Sequence, residues 1–250
     1  MILHPNRKTA EEITAEWDAL APIRLTQILS GEDISYREIL TPNVLELIQQ
    51  WGRRVDTIVD AGCGVGVLTS RLAKVARRVI GVDPSSVSIQ LASRNFGSSA
   101  NFVVASFEDY ASTHVGEADV VVANMVLMDT LRLDEFLFAA RRTLRVPGAL
   151  VFSITHPCFW PIYHGYSSKP WFRYTREQLI ESPFQISTER SCPLHSTHIH
   201  RPLTHYVEQL SRHGFQIQTL REPMPSEEIS KLYPEVWEFP RYLFALCCRP

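Results

Sequence analysis

The sequence has little of what marks secreted, membrane-spanning or nucleic-acid-binding proteins. Its 5 cysteines are odd in number and scattered, which is typical of reduced thiols and not of a disulfide framework. It contains no apolar run long enough to cross a bilayer, and its first residues lack the apolar core of a signal peptide. We therefore expect a cytoplasmic protein with no membrane partner.

No excess charge of either sign is present. The 25 Lys and Arg residues nearly balance the 27 Asp and Glu residues, so the totals show no electrostatic footprint for a nucleic-acid backbone. The 250 residues, of which 45% are hydrophobic, can bury one full core. We expect a single domain over 1–250, as a monomer or homodimer, that binds no nucleic acid.

A glycine-rich stretch over 57–68 organises the chain. A short apolar strand carries Asp60 at its carboxyl tip, and Gly62, Gly64 and Gly66 follow at alternate positions. Bare backbone there can turn tightly against a ligand, and we expect a side chain at Gly62 or Gly64 to occupy the ligand's space. The helix predicted from Val67 directs free N–H groups to the same point, which favours a nucleotide-like ligand. The same spacing also occurs in a plain tight turn.

A second strand, over 78–82, also ends in an acid. Asp83 follows Gly62 by roughly 20 residues, the distance at which a carboxylate can accept hydrogen bonds from both ribose hydroxyls. The alternative is that Asp83 only caps the helix that begins after Pro84.

Strands and helices alternate from 55 to 155, which predicts an α/β fold with a doubly wound parallel sheet. Three more strands are predicted there, and two follow near the end of the chain. The predicted strands are 101–105, 119–123, 149–155, 215–220 and 242–248, with a turn at Pro147 and Gly148. The predicted helices are 10–20, one from Thr41, one from Ser85 or Ser86 to Asn95, 133–144 and 203–213.

The ordered run of motifs resembles the class I S-adenosylmethionine (SAM) dependent methyltransferases of the small-molecule type. The resemblance covers about 35–248 and is carried by segments 60–66 (Asp-Ala-Gly-Cys-Gly-Val-Gly), 81–85, 124–129, 144–157 and 200–203. Dinucleotide dehydrogenases instead carry Gly-x-Gly-x-x-Gly, and their third glycine would fall at Val67 here.

The resemblance implies SAM as cofactor, with S-adenosylhomocysteine as product, on a mostly parallel seven-stranded Rossmann-like sheet whose last two strands form an antiparallel hairpin. It also implies that an N-terminal helical segment, 1–52, closes over the cofactor. The cofactor-binding residues that it implies are Tyr36, Asp60, Ala61, Gly62, Gly64, Gly66, Asp83, Pro84, Ser106, Phe107, Glu108, Asn124 and Met125.

Three of these positions have alternatives. Family members usually carry an acid where Ser106 stands, to hold the adenine amino group, and a serine hydroxyl can accept the same bond without charge assistance. Phe107 either flanks the adenine ring or belongs to the core. Tyr36 either contacts the cofactor or only packs.

The segment 157–200 interrupts the alternation and is rich in aromatic residues. A long connection after a strand tip is typical of a substrate loop, and aromatic walls suit a flat or apolar acceptor. We expect the substrate to contact Met128, Phe159, Trp160, Tyr163 and Trp171. The alternative is that the rings only attach the insertion to the core or form a dimer contact.

A hydroxyl acceptor benefits from a general base, and histidine titrates near neutrality. His156 follows a strand tip and His200 is predicted to open the last helix, so both are candidate bases; the alternative is that both are structural. Cys192, His195 and His198 lie near His200 at spacings that can chelate zinc, but there is no Cys-x-x-Cys pair, and we expect no metal.

The sequence predicts a methyltransferase that acts on a hydroxyl or amine of a small aromatic or apolar metabolite. It lacks the Asn-Pro-Pro-Tyr motif that adenine and glutamine-amide methyltransferases share, since the residues after Asn124 are Met125 and Val126. Two other classes stay open: a SAM-binding fold without catalysis that serves as a regulator or scaffold, and a nicotinamide-dependent reductase.

Overall fold

The computed structural model describes residues 2–250, and within them a seven-stranded sheet forms the centre. Its strands are β1 Thr57–Ala61, β2 Arg78–Asp83, β3 Asn101–Val104, β4 Ala118–Asn124, β5 Leu144–Thr155, β8 Gln216–Arg221 and β9 Tyr242–Arg249. A separate hairpin is formed by β6 Gln178–Pro183 and β7 His195–His200. The order β3-β2-β1-β4-β5-β9-β8, with β1 to β5 parallel and β8 and β9 antiparallel, confirms the predicted mixed sheet.

Helices cover both faces of this sheet. They are α1 Ala10–Leu29, α2 Thr41–Gln50, α3 Val67–Leu72, α4 Ser86–Phe96, α5 Phe107–Thr113, α6 Leu133–Thr143, α7 Trp160–Tyr163, α8 Leu203–Arg212 and α9 Glu227–Ser230, and a π-helical segment, Ser35–Leu40, leads into α2. Neighbouring residues of one strand enter opposite cores: Val121 packs with α5 and α6, whereas Val120 and Val122 pack with α2 and α3. The sheet is therefore doubly wound, as the apolar strands predict.

Helix α1 is longer than the predicted 10–20. Its start is as predicted, because Thr9 and Glu12 form a capping box. It continues through Pro22 to Leu29, although an internal proline removes one helical hydrogen bond. Burial of Leu20 on one side of Pro22 and Gln27 on the other stabilises the helix across the proline.

Two other boundaries differ from the sequence prediction. The exposed Pro147 and the buried Gly148 lie inside β5 at a bulge, because the β4–β5 register jumps between the pairs Ala118–Leu144 and Val120–Ala149. The hairpin β6–β7 was not predicted. His200 therefore ends a strand and does not open α8, which begins at Leu203.

Helix α1 and the hairpin form a roof over the carboxyl edge of the parallel strands. Lys8 forms ion pairs with Glu16 of α1 and with Glu181 of β6, the latter at 2.6 Å. The Thr197 backbone N–H of β7 donates to Glu16 at 2.8 Å. These contacts join the N-terminal helix to the insertion. Across residues 2–250, we find no helix with the length and apolarity needed to cross a membrane.

Candidate functional site

A cavity of about 650 Å³ lies between the roof and the carboxyl ends of the parallel strands. Asp60 of β1, Asp83 of β2 and Asn124 of β4 line its floor, and Trp17 of α1 and Phe184 after β6 line its other walls. This is where open α/β sheets bind ligands, and the volume is that of a small-molecule site.

The three glycines of the loop after β1 have different roles. All have positive φ, at 74°, 51° and 79° for Gly62, Gly64 and Gly66. A Cβ on Gly64, which lines the cavity, would meet nothing within 4 Å, so bare backbone there leaves space for a ligand. A Cβ on Gly62 would lie 2.5 Å from Val126 Cγ2, and one on Gly66 would lie 2.7 Å from Ala92 Cβ. The prediction that a side chain at Gly62 would occupy the ligand's space is therefore wrong, because Val126 fills that space.

Asp60 and Asp83 are buried carboxyls on the cavity wall. Thr69 Oγ1 donates to Asp60 Oδ2 at 2.6 Å, and burial raises the pKa of Asp60 to about 7. The backbone N–H groups of Gly64 and Ser85 donate to Asp83, each at 2.8 Å, while burial raises its pKa to about 6. Both carboxylates would be stabilised by a cationic ligand in the cavity.

Ser85, and not Asp83, caps α4, since its hydroxyl accepts from the Ser88 backbone N–H at 3.0 Å. Asp83 is therefore not the cap of α4. Its two oxygens fix the glycine loop and the start of α4, and each retains a lone pair for a further donor.

Asn124 and Met125 are held rigidly at the end of β4. Ser153 Oγ donates to Asn124 Oδ1 at 2.7 Å, and the Met125 backbone N–H donates to the Ser153 carbonyl at 3.0 Å. Met125 has a φ of 60°, which is uncommon for a side chain of this size. Such local strain recurs at ligand sites, and both residues line the cavity.

Ser106 and Phe107 lie at the cavity, each with a structural task as well. Ser106 caps α5, accepting from the Asp109 backbone N–H at 3.1 Å and donating to its carboxylate at 2.7 Å. Phe107 packs on Phe136 with ring centroids 4.8 Å apart and also lines the cavity. Phe107 is therefore part of the core and also lines the cavity, so the two alternatives do not exclude each other.

Most of the predicted cofactor residues lie on this one cavity. They are Tyr36, Asp60, Gly62, Gly64, Asp83, Pro84, Ser106, Phe107, Glu108, Asn124 and Met125. Ala61 and Gly66 are not on its wall: Ala61 is part of the core, and Gly66 starts α3 close to Ala92.

The predicted substrate residues divide into two groups. Met128, Trp160 and Tyr163 line the cavity. Phe159 instead stacks on Phe239 at 5.4 Å, and Trp171 stacks on His4 at 5.0 Å. These two rings pack the insertion against its surroundings and do not reach the cavity wall, as the packing alternative predicts.

The two predicted bases meet behind the cavity wall and not on it. His156 and His200 line a separate space of about 10 Å³, which has room for about one water molecule. His156 Nε2 lies 2.6 Å from Glu222 Oε1, and its Nδ1 accepts from the Cys158 N–H. His200 Nε2 donates to the Tyr174 carbonyl at 2.9 Å, and burial lowers its pKa. Neither ring faces the 650 Å³ cavity.

Within residues 2–250, no three His, Cys, Asp or Glu side chains lie close enough to hold a metal ion. His198, one of the residues whose spacing resembled a zinc site, is 3.0 Å from the Tyr166 hydroxyl. It lines both the large cavity and the small one.

Several cavity residues were not predicted. Trp17 and Arg24 come from α1, and Arg24 pairs with Asp33 at 2.7 Å while its guanidinium lies 5.1 Å from the Phe184 ring centroid. Asp129, after β4, also lines the cavity. The helical spacing of Trp17 was visible in the sequence, whereas Arg24 lies beyond the predicted end of the helix at 20. The direction of both side chains depends on how α1 docks.

Comparison with known proteins agrees with this geometry. Residues 59–152 match the family model described as a methyltransferase domain. Together with the fold and the cavity, this match supports the resemblance of that segment to class I SAM-dependent methyltransferases. The resemblance that the motifs carried is confirmed.

Among curated relatives, ubiquinone biosynthesis O-methyltransferase from Thiobacillus denitrificans is 35% identical over 101 residues, covering 39% of this chain and 43% of the relative. The protein of the same name from Hydrogenovibrio crunogenus is 32% identical over 130 residues, covering 50% and 53%. The chain thus matches about half the length of these relatives.

Solved structures show the same fold. A SAM-dependent methyltransferase from Mesorhizobium loti has a TM-score of 0.64 at 21% identity, covering 83% of this chain and 96% of its own. The 1,6-didemethyltoxoflavin-N1-methyltransferase from Burkholderia thailandensis, solved with bound 1,6-didemethyltoxoflavin and S-adenosylhomocysteine, has a TM-score of 0.60 at 17% identity, covering 99% of this chain and 94% of its own.

The glycine loop yields a paired prediction. Gly66→Ala should destabilise the fold by about 1–3 kcal/mol beyond the cost of its positive φ, because the new methyl group overlaps Ala92 and Phe102. Gly64→Ala should lower the free energy of unfolding by about 1–2 kcal/mol, mainly through backbone strain, but should weaken SAM binding. Chemical denaturation and calorimetric titration of both variants measure the two effects. Equal SAM affinity in Gly64→Ala and the unmodified protein would contradict this assignment.

Proposed function

We propose that the chain transfers a methyl group from SAM to a hydroxyl or amine of a small aromatic or apolar molecule. The single observation that carries the proposal is the open backbone at Gly64, which lies between the carboxyls of Asp60 and Asp83 on an aromatic-walled cavity. A cavity of about 650 Å³ has room for a nucleoside-sized ligand together with a small acceptor.

In this proposal the residues at the ends of the first strands would hold the adenosyl part. Asp83 would accept from the ribose hydroxyls with the lone pairs that Gly64 and Ser85 leave free. Ser106 and Phe107 would hold the adenine, and Asp60 would hold the cationic end of the cofactor. SAM brings the reactivity itself, since its sulfonium activates the methyl group and leaves as a neutral thioether.

The protein's part is alignment and exclusion of water. The roof of α1 and the hairpin covers the floor formed by Asn124 and Met125, whose positions Ser153 fixes. Met128, Trp160 and Tyr163 form the wall against which the acceptor packs. His156 and His200 lie one layer further back, so we propose that they support this wall through Trp160 and His198, which border both spaces.

The names of the relatives agree with either acceptor atom. The curated relatives are named O-methyltransferases, and the Burkholderia thailandensis structure is named an N1-methyltransferase. A hydroxyl or an amine both fit a cavity that contains carboxyl groups as well as apolar walls.

The alternative is a SAM-binding regulator or scaffold without catalysis. Incubation with methyl-labelled SAM and a cell extract separates the two, because an enzyme transfers label to a small compound. We expect labelled small molecules that are absent when the Asp83→Ala variant replaces the unmodified protein. SAM binding with no transfer to any compound would support the regulator instead.

Removing the Asp83 carboxylate should weaken SAM binding. We expect Asp83→Ala to lose about 1–3 kcal/mol of SAM binding free energy, the usual scale for hydrogen bonds to a charged group. Isothermal titration calorimetry measures the loss, with the exposed Glu228→Ala as matched acidic control. An unchanged affinity in Asp83→Ala would reject the ribose assignment.

SAM binding should depend on pH through Asp60 and Asp83. Burial raises both pKa values, to about 7 and about 6, so their protonated forms stabilise the free protein, and that contribution is lost as the pH rises through those values. A cationic ligand favours the ionised forms. Binding at pH 5.5 should therefore be about tenfold weaker than at pH 7.5, with proton release on binding.

Calorimetry in buffers of different ionisation enthalpy measures that proton release. The Asp83→Asn variant is the control, because it should keep only the part of the pH dependence that Asp60 causes. Equal SAM affinity at both pH values would show that neither carboxyl senses the cofactor's charge.

A further inference from the structure

Acidic side chains outnumber basic side chains on the cavity wall. Among the described residues that line it, the arginines are Arg24 and Arg132, and each is already paired, with Asp33 at 2.7 Å and with Glu135 at 2.6 Å. Carboxyls outnumber these cations even when the pairs are set aside, because Asp60, Asp83, Glu108, Asp109 and Asp129 also line the cavity. A negatively charged ligand would meet no unpaired cation on this wall.

The cavity histidines do not change this balance. Burial lowers the pKa of His164 to about 4 and that of His198 to about 3, so both rings are neutral at pH 7. The nearby Arg241 lies behind the wall, with its guanidinium 3.8 Å from the Tyr163 ring centroid and 4.4 Å from that of Trp237. Its charge faces aromatic rings.

Asp129 stands apart from the carboxyls of the cofactor side. It follows β4, whereas Asp60 and Asp83 lie at the carboxyl ends of β1 and β2, and the charges that act on it are those of Glu16 of α1 and Arg201 after β7. Glu16 is held by Lys8 and Thr197, and Arg201 by Glu177 at 2.6 Å. Within residues 2–250, the Asp129 carboxylate has no hydrogen-bond or ion-pair partner within contact distance, and burial raises its pKa.

The loop that carries Asp129 is fixed from the far side. The fully buried Arg201 guanidinium donates to the carbonyls of Leu127 at 2.9 Å, Thr130 at 2.7 Å and Leu131 at 3.1 Å. The Ile199 backbone N–H of β7 donates to the Met128 carbonyl at 2.6 Å. Carbonyls on both sides of Asp129 are thus bound, which is how a recognition group is held in place before its ligand arrives.

We propose that Asp129 is the acceptor-recognition residue, and that the acceptor is an aromatic or apolar molecule that presents an ammonium or a neutral hydrogen-bond donor and carries no negative charge. This rests on the proposed methyltransferase function and goes further, because it selects among acceptors by charge. A cationic or neutral donor supplies the partner that the Asp129 carboxylate lacks, whereas an anion would meet Asp129 and the paired arginines at a cost.

Three catechols of similar size and different charge test the proposal: 3,4-dihydroxyphenethylamine (cation), 4-ethylcatechol (neutral) and 3,4-dihydroxyphenylacetate (anion). Their affinities are measured by calorimetry at pH 7.5 on protein saturated with S-adenosylhomocysteine. We expect the cation to bind at least about tenfold more tightly than the anion, with the neutral probe between them. In Asp129→Asn this preference should fall to less than about threefold.

The matched control is Glu228→Gln, which removes an exposed carboxyl that does not line the cavity and should keep the preference of the unmodified protein. Equal binding of the three probes, no binding of any, or an unchanged preference in Asp129→Asn would each overturn the proposal. The comparison in the unmodified protein needs no variant to fold. The comparison of the three probes is also made without S-adenosylhomocysteine, which distinguishes two kinds of failure. If the protein does not bind S-adenosylhomocysteine, the proposed function is contradicted, but the affinities of the three probes can still be compared.

Discussion

The site depends on how closely the loop after β1 approaches its surroundings. Gly62 packs against Val126 after β4 and Gly66 against Ala92 of α4, so two of the three glycines are needed for these segments to pack against the loop. Only Gly64 leaves its space to the cavity. The backbone at Gly64 is open to the cavity because the glycines on either side of it are tightly packed. That packing holds the loop in a shape that has left-handed φ at each glycine.

Burying two carboxylates at the same edge of the sheet costs electrostatic free energy. Asp60 and Asp83 are both buried, and their raised pKa values record the loss of water around each carboxylate. Hydrogen bonds from Thr69, Gly64 and Ser85 offset part of it. A cationic ligand offsets more, which agrees with a cofactor that carries a sulfonium and an ammonium group.

The sequence predicted the floor of the cavity far better than its roof. Local signals specify the floor, since the glycine spacing, the acids at the tips of β1 and β2 and the apolar strands each follow from neighbouring residues. The roof depends on contacts between distant segments. No local sequence pattern reveals the contact of Lys8 with Glu181, the contacts of Arg24 with Asp33 and Phe184, or the register of the β6–β7 hairpin. Trp17 and Arg24 were therefore missed, and Phe159 and Trp171 were misplaced.

Arg201 links the two halves of the molecule. Three carbonyls of the loop between β4 and α6 receive their hydrogen bonds from this side chain, about 70 residues further along the chain. The family-matching segment 59–152 is therefore not a self-sufficient unit in this protein. Its β5 strand also needs β9 as a neighbour. A substitution at Arg201 should therefore shift the loop after β4, although Arg201 lies outside the segment that matches the family model.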